Sequence, residues 1–105
     1  MSEYCLVYMT APDMAEAERI AEALLERRLA ACVNVLPGMS SFYRWQGRVE
    51  KSEEVVVLAK TRTVLVSELS ETVAGMHAYD CPCVVALPIM GGHSPFLSWI
   101  SEETC

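Results

Sequence analysis

A histidine, a phenol, a carboxylate and two thiols fall within the seven residues His77-Ala78-Tyr79-Asp80-Cys81-Pro82-Cys83, where a helical pattern stops and a buried strand begins. Side chains of these types at an element boundary can converge on a metal ion or serve as acid and base. Residues two apart in an extended segment face the same side, so Cys81 and Cys83 could reach one ion together with His77 or Asp80. The pair also reads as one buried thiol and one incidental one, because free cysteine packs as a small hydrophobe.

A second set, Tyr43, Trp45, Lys60, Tyr79 and Asp80, offers an aromatic wall, a cation and an acid or base candidate. Together they suit a cleft between subunits that takes a small ligand, a phosphate or a partner's loop. Packing readings stand beside these: Lys60 as a solvated strand end, Trp45 as an interface anchor, Asp80 as a cap on local backbone. His93 reads as an exposed loop residue and Cys32 as core. No nucleophile with a partnered base is visible, and Gly91-Gly92-His93 is too short for a phosphate loop. A hydrolase or transferase working through His77 or Asp80 therefore ranks last, and the chain is expected not to be an enzyme.

These residues need elements to hold them. Residues 4–9 are rich in β-formers, and Thr10-Ala11-Pro12-Asp13 resembles a capping box with proline near the helix start. Ala17, Ile20, Ala21, Leu24 and Leu25 then recur at helical spacing, to an end near Leu29. Residues 31–36 return to β-type, Pro37-Gly38 bends the chain, and residues 41–45 run extended to a tight turn at Gln46-Gly47. Residues 48–60 form the return strand, whose continuous apolar run at 55–59 predicts a strand buried on both faces or central in its sheet. A helix over 63–75, a strand over 83–87 and a short helix opened by Ser94-Pro95 complete the chain.

The order βαββαβ with a terminal helix predicts one α+β domain over residues 1–105. It is a ferredoxin-like sandwich with an extended hairpin between its second and third strands and a short C-terminal helix. The hairpin arms are too long for one small core, and exposed strand edges commonly pair with another chain. Composition agrees, since 52% of the 105 residues are hydrophobic and only 21% charged, which predicts an oligomer.

Fourteen acidic against eight basic side chains give a net charge of −6, which argues against nucleic acid and membrane surfaces as partners. Met1-Ser2-Glu3 leads straight into an apolar run without a basic leader, and five cysteines make an odd number. Both features point to reduced thiols in the cytoplasm.

The ordered set Ala30-Ala31-Cys32-Val33-Asn34, Tyr43-Arg44-Trp45-Gln46-Gly47-Arg48-Val49-Glu50, Val57-Leu58-Ala59-Lys60-Thr61, His77-Ala78-Tyr79-Asp80, Ala86-Leu87-Pro88 and Leu97-Ser98-Trp99-Ile100 resembles the CutA divalent-cation-tolerance family across the chain. The resemblance implies a tight homotrimer of ferredoxin-like subunits, akin to PII-type signalling proteins. It also implies a role in metal tolerance, copper in particular, and leaves room for a protein partner.

Family copper ligands are a cysteine ending the first strand and two histidines ending the second helix; those positions read Met9, Met76 and His77 here. Thioether sulfur suits Cu(I), imidazole Cu(II) and other divalent ions, and no metal is expected to be needed for folding. Met9 and Met76 fit a packing role between strand and helix better than ligation. The alternative is a trimeric PII-like signalling or scaffold module, with a small ligand or partner loop in the inter-subunit cleft.

Overall fold

The structure, a computed structural model, describes residues 2–105; the leader-free start read at Met1 lies outside them. The order is β1 (Tyr4–Ala11), α1 (Met14–Glu26), β2 (Cys32–Trp45), β3 (Arg48–Arg62), a 3-10 turn (Thr63–Leu65), α2 (Val66–Met76), β4 (Val84–Pro88) and α3 (Ser94–Glu103). The strands form one antiparallel sheet in the order β2-β3-β1-β4. This is the ferredoxin-like sandwich expected.

Alternation along the strands decides which side chains meet the helices. Cys5, Val7, Met9 and Ala11 of β1 and Val55, Val57, Ala59 and Thr61 of β3 are buried on one face. With Ala17, Ile20 and Leu24 of α1 and Leu69 and Val73 of α2 they make the core, each large aliphatic group contributing about 1.5–3 kcal/mol by leaving water. The apolar run at 55–59 belongs to a strand central in its sheet, between β2 and β1, rather than to one buried on both faces. Val56 and Leu58 point to the opposite face and are only half-buried, because α3 covers one end of that face. There the Tyr4 and Ser101 hydroxyls share a 2.6 Å hydrogen bond, and Arg62 donates to the Thr104 hydroxyl at 2.9 Å and carbonyl at 2.7 Å.

Three local readings are corrected. Asp13, not Thr10, caps α1, its carboxylate accepting from the Glu16 N–H at 2.8 Å; Pro12 precedes the cap because β1 runs on to Ala11. The helix ends at Glu26, where Arg28 turns left-handed (φ 56°) and the Leu29 and Arg28 N–H groups donate back to the Leu24 and Leu25 carbonyls. That is a Schellman closure with arginine where glycine is usual. At α3 the cap position is His93 without a side-chain bond, and Ser94 already lies inside the helix.

β2 does not break at Pro37-Gly38. The register passes from Leu36 opposite Val56 to Met39 opposite Glu54, so Pro37 and Gly38 together oppose Val55 in a bulge. Proline has no N–H to offer the ladder, and Gly38 takes φ 79°. The insertion changes parity: Cys32, Asn34 and Leu36 share the open face with Lys60, Leu58 and Val56, whereas beyond the bulge Met39, Ser41, Tyr43 and Trp45 take over that face. The arm closes through Gln46 (φ 50°) and Gly47 (φ 79°), both left-handed as a type I′ hairpin turn requires.

Candidate functional site

The parity change builds a groove of about 820 Å³. Its floor is Tyr8 and Thr10 of β1, one wall is residues 39–43 and Trp45 of the arm, and the other is the loop carrying Ala78, Tyr79, Asp80, Cys81 and Cys83. Glu54 stands between the walls. The Tyr79 hydroxyl donates to Glu54 Oε2 at 2.8 Å and ties the loop to β3, while the Tyr8 hydroxyl donates to the Met39 sulfur at 3.5 Å. Ser52 and Tyr43 join their hydroxyls at 3.4 Å.

Electrostatically the groove favours cations. Glu54, Asp80 and two thiols line it, with no basic side chain among the lining residues. Tyr79 is pushed up to about 12, first by burial and then by its hydrogen bond and charge repulsion with Glu54. Burial, then the Glu54 charge, also pushes up the Cys83 thiol.

His77 caps the end of α2 and works as a clamp. Its Nε2–H donates to the Thr10 carbonyl at 2.8 Å, and its Nδ1 accepts from the Tyr79 N–H at 3.0 Å. The two rings lie 4.8 Å apart between centroids. A metal at Nδ1 must displace the Tyr79 N–H, and one at Nε2 must displace both the proton and the Thr10 carbonyl.

The expected metal set is thus not a preformed site. Met9 has no exposed surface and belongs to the core, and Met76 packs against that core while its carbonyl accepts from Arg19 at 2.8 Å. His77, Met76 and Met9 as they stand do not fit a bound metal. Among the described residues no three His, Cys, Asp or Glu side chains are clustered as metal ligands.

Of the cleft set, Tyr43, Trp45, Tyr79 and Asp80 do line one groove, within a single chain. Lys60 does not. Its ammonium donates to Asn34 Oδ1 at 2.7 Å and sits 5.9 Å from the Phe96 ring, so within one chain this groove offers no cation to an anion. Sequence reasoning missed Tyr8, Met39, Phe42 and Glu54. For Met39 the signal was the extra residue at Pro37-Gly38, which resets the alternation.

A model of the CutA1 divalent ion tolerance protein family matches residues 5–103. The divalent-cation tolerance protein CutA of Archaeoglobus fulgidus is 47% identical over 96 residues, covering 91% of this chain and 93% of that one. Its counterpart in Thermus thermophilus is 46% identical over 99 residues, 94% of this chain and 96% of that one. A solved structure described as the periplasmic divalent cation tolerance protein CutA of A. fulgidus superposes with a TM-score of 0.94 at 44% identity, covering 96% of this chain and 98% of that one.

Proposed function

Because the chain belongs to the CutA1 divalent ion tolerance family, we propose that it serves metal tolerance as a cytoplasmic homotrimer binding a transition metal such as copper, and that it is not an enzyme. The observation that carries the cation reading is the groove lining of two carboxylates and two thiols without a basic group. The trimer reading is supported by the uncovered sheet face, where Leu36, Val85 and Leu87 are about half exposed, and by Trp45 at 59%. Free cysteines throughout suit a reducing compartment.

Native mass spectrometry of the reduced protein, titrated separately with Cu(I), Cu(II) and Zn(II), tests this reading. A trimer that takes up about one metal per subunit supports it; a monomer, or a trimer that takes none, refutes it. A second reading, a signalling or scaffold module, draws on the wall of Phe42, Tyr43 and Trp45, which suits a flat organic ligand. It predicts ligand protection against unfolding without metal.

A further inference from the structure

We infer that Cys81, Cys83 and Met39 form a sulfur site for a soft monovalent metal ion of the Cu(I) type, on the wall of the groove. The inference rests on the metal-tolerance reading and gives it a ligand set. All three side chains line the same groove, and both cysteines are free and exposed. Cys81 and Cys83 are separated in sequence only by Pro82.

The loop that carries them is held at its other end, by the two hydrogen bonds of His77 and by the Tyr79 bond to Glu54, so the thiols are tethered opposite the arm. On that arm the bulge turns Met39 towards the groove, and its sulfur already accepts the Tyr8 hydroxyl.

Thiolate and thioether sulfur select Cu(I) over hard ions, and a d10 monovalent ion is satisfied by two or three such donors. Binding replaces two S–H protons with two S–Cu bonds, so Cu(I) and two thiols give a bis-thiolate complex of net charge −1 and two protons released to buffer. Met39 adds a neutral donor without changing that balance. No change of oxidation state is involved.

The test is competition of the reduced, oxygen-free full-length protein against a chromophoric Cu(I) chelator, with proton release followed in weak buffer and the metal's neighbours read by X-ray absorption. The expected result is one Cu(I) per chain, two protons released, and sulfur neighbours only. Cys81→Ser and Cys83→Ser each abolish binding, Met39→Leu weakens it, and Cys105→Ser retains it. Both loop cysteines are exposed, and unchanged circular dichroism of their serine variants certifies the fold.

Cu(I) held equally well by the Cys81→Ser, Cys83→Ser double variant, or nitrogen among the metal's neighbours, overturns the sulfur site while the tolerance reading stands. A wild-type trimer that takes up none of Cu(I), Cu(II) or Zn(II) overturns both.

Discussion

Tyr79 joins the loop to the sheet through one proton. Its phenol is held up to about 12 against an ordinary 10 by burial and by the bond it donates to Glu54. The folded chain thus keeps a proton that the unfolded chain gives up sooner. The resulting stability is whole below pH 10 and drains away as pH rises through 12. In the metal-free protein, one of four tyrosines should ionise late by ultraviolet absorbance, and Tyr79→Phe should flatten the alkaline fall of the urea midpoint. Equal slopes for the two proteins would sink the argument. Arg28 makes the opposite case, a residue at odds with its backbone. A left-handed non-glycine residue costs about 1–2 kcal/mol. Glycine gives back roughly 0.5–1 kcal/mol in chain entropy, so Arg28→Gly should stabilise by about 0.5–1 kcal/mol, less the 3.2 Å bond from Arg28 to the Glu103 carbonyl. A lower urea midpoint in the variant would refute it.

The helices and strands were readable where periodicity is unbroken. Ile20 and Leu24, or Leu69 and Val73, repeat at the helical period and are buried as that period requires. What alternation could not give was the arm, because a one-residue insertion leaves the composition of β2 unchanged while exchanging its faces. Read without the bulge, Tyr43 and Trp45 fall opposite the side where they lie. The partner of Lys60 was hidden for a related reason: Asn34 reaches it through strand register, which sequence spacing does not report. Likewise the His77 ring was read as a free ligand, because the Thr10 carbonyl and the Tyr79 N–H reach it only through the fold. Deleting Pro37 tests the account. Removing the extra residue should swap the arm's faces, withdraw Met39 and Tyr43 from the groove and change Trp45 emission, with the helical circular dichroism of the core retained. Unaltered emission and groove chemistry would show that the bulge does not set the face.

As a body the chain is drawn out, 44 × 26 × 23 Å, with a radius of gyration of 14.2 Å against about 13 Å for a compact domain of this length. The excess is the arm, which carries Phe42, Tyr43 and Trp45 beyond the helices with much of their surface in water. Apolar side chains at its tip and on an uncovered sheet face fit the proposed trimer. Trp45→Ala should therefore weaken assembly by about 2 kcal/mol or more if the ring anchors a contact between copies. Sedimentation equilibrium at micromolar protein reads that difference, and identical profiles would dismiss the anchor. Because the bulge fixes the phase of every later residue in β2, the reach of the arm is quantised. Its strands can lengthen or shorten only by pairs of residues, about 6.8 Å at a time, if the aromatic side is to keep facing the groove. An odd step would present the wrong side of the arm while leaving every hydrogen bond of the ladder in place.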